Sequence, residues 1–135
     1  KLCSLGVKNS CVFLGNMYID NNLPSSMNSF DKTDRESFAL KSYSKSVDRG
    51  NLEAMLLFAD LSLENNINKE KANSLLDKAI ARGQIDGLYI KSKHKFRDFF
   101  SNSAACKDLK SFLNNNPTTS LYFEKAIKLN KKKCN

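Results

Sequence analysis

Four side chains able to do covalent chemistry mark this chain: Cys3, Cys11, Cys106 and Cys134. A thiol serves as nucleophile, metal ligand or half of a disulfide. A zinc centre wants ligands in close pairs, and none of these cysteines has a partner two residues away. An even number of cysteines in a small domain instead fits a disulfide framework in an oxidising compartment. The single histidine, His94, sits in "KSKHKF" among Lys91, Lys93, Lys95 and Arg97. No local carboxylate orients its imidazole, so it reads as part of a basic helix face and not as a general base. Asp60 and Glu64 share a helix face, an arrangement common on solvated helices. Glycine-rich phosphate loops, HExxH and G-x-S-x-G do not occur. The expectation is a chain that is not an enzyme and holds neither cofactor nor metal.

Two stretches read as recognition surfaces. "YIKSKHKFRDFF" interleaves Lys91, Lys93, Lys95 and Arg97 with Phe96, Phe99 and Phe100. Such a pattern grips single-stranded nucleic acid, or else it is a solvated basic face with its aromatics buried. "NNLPSSMNSFDK" carries Leu23, Met27 and Phe30, apolar residues that a mere spacer does not need. It either folds back over its helix pair or projects an apolar finger to a partner. With Asp60, Glu64, Lys91 and Lys95, these three form the candidate partner-binding set.

At 135 residues the chain reads as a single domain over 1–135. Few prolines and glycines favour helices over a loop-rich or all-β fold. No run of 18 apolar residues exists, so no segment reads as membrane-spanning. No leader precedes Cys3, and Lys1 reads as the start of a processed or shortened chain. The net charge of +8 admits nucleic acid, anionic lipid or an acidic protein as partner without choosing among them. Much of the excess lies in "KLNKKK", where the helix macrodipole favours cations.

The elements that must position these residues repeat. "KLCSLGVKNS", "KSVDRGNLEA" and "KAIARGQIDG" align on Gly6, Gly50 and Gly83, each followed by a small residue, Ser10, Ala54 or Gly87. "KAIKLN" is a partial fourth copy with Asn130 in the glycine's place. Glycine and asparagine tolerate the left-handed conformation that ends helices. Each interval therefore holds two helices, A and B, with repeats over about 7–50, 51–83 and 84–130 and with 1–6 closing an earlier B helix. The first A helix, "SCVFLGNMYID", presents Cys11, Leu14 and Tyr18, with Phe13 and Met17, at helical spacing. The first B helix begins at "TDRE", where Thr33 and Glu36 form a capping box, and carries Phe38, Leu40, Tyr43 and Val47. In the second repeat A is "LEAMLLFADLSLENN", and B follows Asn68 as N-cap. In the third, A runs from Asp86 to about Phe96, an insertion follows, and B is "TSLYFEKAIKLN".

These residues resemble the Sel1-like repeats, a branch of the tetratricopeptide-type helical solenoids. Ser10, Leu14, Gly15 and Tyr18 match the family's helix A pattern of small residue, Leu-Gly and Tyr. Ala39, Tyr43, Lys45 and Gly50 match its helix B, as do Ala72, Lys78, Ala79 and Gly83. In the second A helix Phe58, Ala59 and Ser62 replace Leu, Gly and Tyr, and in the third Lys91, Ser92 and Lys95 do so. The resemblance implies an all-α right-handed α-solenoid of six to seven helices, its A helices lining the inner curve. The Helicobacter-type cysteine-rich subset carries one disulfide per repeat with the gap seen between Cys3 and Cys11. Val47 with Met55, and Ile80 with Leu88, occupy the equivalent places in later turns. By this resemblance Cys3 and Cys11 are bridged, the alternative being a reduced, buried pair. Cys106 with Cys134 is the remaining pairing, resting on the even count and on the last helix running back past the insertion.

Solenoids offer extended docking surfaces, so binding another protein leads. Some bacterial family members are exported, periplasmic immunity proteins that neutralise a type VI secretion effector such as a phospholipase. Others are cysteine-rich proteins that bind or hydrolyse β-lactams, although no serine-lysine motif of that chemistry occurs here. The third alternative is nucleic-acid or anionic-lipid binding through the basic surface.

Overall fold

A computed structural model describes residues 2–7, 9–23 and 30–134. The described residues form seven α-helices and no strand: α1 (Ser10–Ile19), α2 (Lys32–Asp48), α3 (Leu52–Glu64), α4 (Lys69–Ala81), α5 (Asp86–Lys95), α6 (Asn102–Asn114) and α7 (Phe123–Lys133). A 3-10 turn, Phe99–Ser101, precedes α6. The chain divides into two compact units, Lys1–Ile67 and Asn68–Asn135. In the first, α2 packs against both α1 and α3; in the second, α4 packs on α5, α5 on α6 and α6 on α7.

Hydrogen bonds at the glycine turns explain why the helices stop where they do. Gly50 N–H donates to Val47 O at 2.9 Å and Asn51 N–H to Ser46 O at 3.0 Å. Gly83 and Gln84 repeat this with Ile80 O and Ala79 O; Gly6 and Val7 make the same bonds to Cys3 O and Leu2 O, but residues 2–6 form a turn and not the expected end of a helix. The glycines have φ of 79°, 81° and 95°, the left-handed conformation that lets two adjacent N–H groups turn back onto otherwise orphaned carbonyls.

Asparagine does the same for other helices. Asn21, Asn66 and Asn116 follow α1, α3 and α6 with φ of 54°, 61° and 51°, and each donates its N–H to a carbonyl three residues back. The expected asparagine cap at Asn130 is not one of them. Asn130 lies inside α7, which continues to Lys133. Lysines complement the carbonyl end of that helix, and Cys134 follows as its cap.

Two other expected caps differ in detail. α2 starts at Lys32, capped by Asp31, whose carboxylate accepts from Asp34 N–H at 2.8 Å. Thr33 is inside the helix, and an anionic cap aligned with the dipole takes the role assigned to its hydroxyl. Asn68 does stand at the N-cap of α4, but with φ 50° and without a side-chain cap bond. Asn51 caps α3 through its side chain, accepting from Ala54 N–H at 2.8 Å.

Within the first unit the buried face of α2 is Ala39, Ser42, Tyr43 and Ser46, meeting Cys11, Val12 and Gly15 as the buried residues of α1. Phe13, expected on that stripe, is 68% exposed. Its position is about 100° around the helix from its neighbours Val12 and Leu14. In the second unit the stretch expected as an insertion contains α6, whose Ala105, Leu109 and Phe112 are fully buried at helical spacing. The helix packed on α5 in the chain's last third is therefore α6 first, with α7 added to α6. Tyr89 links them, its ring 6.0 Å from Phe112 and stacked 4.9 Å from Tyr122.

Candidate interaction surfaces

The first glycine turn carries Cys3 and α1 carries Cys11. Their sulfurs are 2.08 Å apart, at disulfide distance, with Cα atoms separated by 4.5 Å. Both residues are buried. Arg49, beside Gly50, reaches back so that Nη1 lies 3.1 Å from Cys11 Sγ. Its guanidinium also lines the space above Gly6. Asn51 Nδ2 donates to Asn9 Oδ1 at 3.1 Å. Two consecutive glycine turns are thus stacked, with an arginine and an asparagine pair between them. The shallow cleft there is lined by Gly6, Asn9, Arg49, Gly50 and Asn51. Cys106 and Cys134 form the second pair, 2.15 Å between sulfurs and 5.7 Å between Cα atoms.

The ends of the "NNLPSSMNSFDK" segment lie on the helix pair. Leu23 is buried, and Phe30 packs against Phe38 with centroids 4.9 Å apart; Tyr18 covers Phe38 at 5.3 Å. An aromatic trio therefore ties the entry of α2 to the end of α1, and these two residues serve packing. Met27 lies outside the described residues. Beside this trio Tyr18, Ile19, Lys32, Arg35 and Glu36 line a second shallow cleft with Leu61.

The structure divides the basic stretch of α5. Lys91 Nζ is 2.7 Å from Asp77 of α4, and Lys95 Nζ is 2.6 Å from Asp108 of α6. Two of its cations therefore lace helices together, the Lys95 pair being the less exposed. Lys93 stands over the Tyr89 ring at 6.0 Å, within cation–π range, and His94 is half-buried on the same helix. On α3, Asp60 is half-buried and Glu64 exposed.

The aromatics of that stretch part company. Phe96 is half-buried, while Phe99 and Phe100 are 82% and 91% exposed, edge to face with centroids 5.5 Å apart. Asp98 holds their turn by accepting from Phe100 N–H at 3.1 Å and from Ser101 Oγ at 2.8 Å. Those two bonds, the hydroxyl's first, keep its carboxyl below the usual carboxylate range against the opposing effect of burial, and Lys69 adds attraction. The sequence contains the signal for this turn, an aspartate before two phenylalanines and a serine, but nothing in it says that the rings face out.

These features define an all-α protein of consecutively packed helices with two cysteine pairs at disulfide distance. No described helix is long and apolar enough to cross a membrane. Comparison with protein-family models, with curated proteins and with solved structures finds no match to this chain.

Proposed function

We propose that this chain is a non-catalytic protein-binding module built from Sel1-like, tetratricopeptide-type repeats arranged as a right-handed solenoid. We further propose that it works in an oxidising compartment such as the periplasm, as a bacterial immunity protein that sequesters a toxic type VI effector of the phospholipase kind. The observation that carries the reading is the recurrence of one turn. The same pair of backbone hydrogen bonds closes the chain at Gly6, Gly50 and Gly83, and Cys3 and Cys11 stand about the first of these where Val47 and Met55 stand about the second. A staple at one junction and apolar residues at the next supports a reading of stacked repeats.

The nucleic-acid alternative drew on Lys91, Lys93, Lys95 and Arg97. With Lys91 held by Asp77 and Lys95 by Asp108, half of that cation set already serves the helix packing, which leaves protein binding ahead. Co-expression with the product of the neighbouring gene tests it. The expected result is a nanomolar complex and rescue of growth from that product's toxicity; a toxic neighbour that neither binds nor is neutralised removes the immunity reading.

A further inference from the structure

The charge of this chain is not spread evenly. Residues 68–135 hold 15 Lys and Arg against 6 Asp and Glu, a balance of +9, whereas residues 1–67 hold 7 against 8, a balance of −1. The whole basic excess belongs to the second unit. Within that unit part of it is gathered at one end. Cys106 lies on the second turn of α6, ~6 Å along the axis from the helix start, and is paired with Cys134 at the close of α7. The last turn of α7, Lys131, Lys132 and Lys133, is therefore brought beside the start of α6. That start is continuous with the turn that bears Phe99 and Phe100. All three lysines, and Lys107 next to Cys106, are exposed, and none makes an ion pair among the described residues.

We propose that this end of the second unit docks on an anionic lipid surface, with Phe99 and Phe100 entering the headgroup boundary and Lys131, Lys132 and Lys133 lying over the lipid phosphates and carboxylates. Two neighbouring phenylalanines left this exposed hold a costly apolar surface in water. The Asp98 cap keeps them presented instead of letting the turn collapse over them. Apolar insertion and a polybasic patch are each weak membrane signals, and their combination gives stable peripheral attachment. Single-stranded nucleic acid fits less well. Its binders offer ring faces along a cationic groove, whereas these rings stand out from the surface and meet each other at 89°. The macrodipole of α7 accounts for lysines in its last turn, but not for an exposed aromatic pair at the same end. The inference is independent of the protein-binding reading above.

The test uses the oxidised full chain with phosphatidylcholine vesicles, with or without about 30 mol% phosphatidylserine. Co-sedimentation is expected with the anionic vesicles, falling as salt rises. The double variant Phe99→Ser/Phe100→Ser should weaken it roughly tenfold or more, because the apolar contribution is lost. The triple variant Lys131→Gln/Lys132→Gln/Lys133→Gln should remove most of the preference for phosphatidylserine. All these side chains are exposed, so the variants should keep the parent's helical circular dichroism. The chain has no tryptophan, so Phe100→Trp supplies a single fluorophore, expected to shift blue and be quenched by brominated lipid. Failure to bind anionic vesicles, equal binding by the serine variant, or a tryptophan unmoved by lipid overturns the proposal. Capture of a single-stranded oligonucleotide without vesicle binding does so too.

Discussion

Gly15 of α1 faces the ring of Tyr43 of α2 so closely that a Cβ on the glycine would overlap Tyr43 Cε1 and stand only 2.6 Å from Cδ1 and 2.9 Å from Cζ. The tyrosine hydroxyl then donates to Asn16 Oδ1 at 2.6 Å, so the ring is gripped at both its edge and its tip. Gly15→Ala should therefore force the ring or the helices apart, although alanine is the better helix former. A loss of about 1–3 kcal/mol is expected in urea unfolding, as for overpacked cores. Unchanged or raised stability would show that the two helices are not held at this separation. Tyr43→Phe keeps the ring and gives up the hydroxyl bond, for a loss nearer 1 kcal/mol.

Gly50 and Gly83 present the opposite case. No atom lies within 4 Å of a Cβ built on either, yet φ is 81° and 95°. Alanine at either position should cost about 1–2 kcal/mol through backbone strain alone. Asparagine should recover much of that, since Asn21, Asn66 and Asn116 close other helices in the same conformation. Equal loss for alanine and asparagine in thermal unfolding would point to a steric cause instead.

Thiol titration of the unfolded, unreduced chain should find no reactive cysteine, because all four stand in pairs at disulfide distance. Cys3→Ser/Cys11→Ser opens a short loop and should cost about 2–3 kcal/mol, and Cys106→Ser/Cys134→Ser, with its longer loop, about 3–4 kcal/mol. Equal stability with and without reductant would contradict both pairings.

Asp98 sets a pH dependence at the turn that carries Phe99 and Phe100. Its carboxyl titrates below the ordinary value because Ser101 and the Phe100 amide bond the anion. The stabilisation is therefore complete above the unfolded-state carboxylate range and is lost as pH falls through the lowered folded value. Carbon-detected NMR should place the Asp98 midpoint below that of an ordinary aspartate. Ser101→Ala should move it back up; a midpoint indifferent to Ser101 would mean that the hydroxyl is not its partner.

Lys95–Asp108 and Lys91–Asp77 have similar lengths, 2.6 and 2.7 Å, but different surroundings. Asp108 has 18% of its side chain exposed, against 64% for Asp77, and this outweighs the opposite difference between the lysines, 33% for Lys95 against 20% for Lys91. A double-mutant cycle should give the Lys95 pair up to about 1 kcal/mol, with the weaker salt dependence of the two. The Lys91 pair should give roughly 0.5 kcal/mol or less, fading with salt. Equal coupling in both cycles would mean that exposure does not govern them.

Periodicity and turn chemistry were sufficient to place most of the helices. Residues at helical spacing located α1 and α2, the repeat placed α3 to α5, and Gly50 and Gly83 marked two ends because few other residues accept a positive φ. Ala105, Leu109 and Phe112 also carry a helical stripe, yet the repeat spacing assigns the last B helix to the segment that forms α7 and leaves them in an insertion. Asn21, Asn66 and Asn116 were as visible as Asn130, but an asparagine's cost in the left-handed region is too small to say which one closes a helix.

What sequence alone determined about this protein is its all-helical class, the glycine stops and the complement of cysteines, all of which follow from local backbone sterics and residue count. Only the tertiary structure decided which side chains are spoken for. Lys91 and Lys95 meet carboxylates from neighbouring helices, Leu23 and Phe30 close onto their own helix pair, and Phe99 and Phe100 are left in water. The reason is that a side chain's partner depends on where other helices pass. That is settled by packing over the whole unit, and no window of the chain contains it.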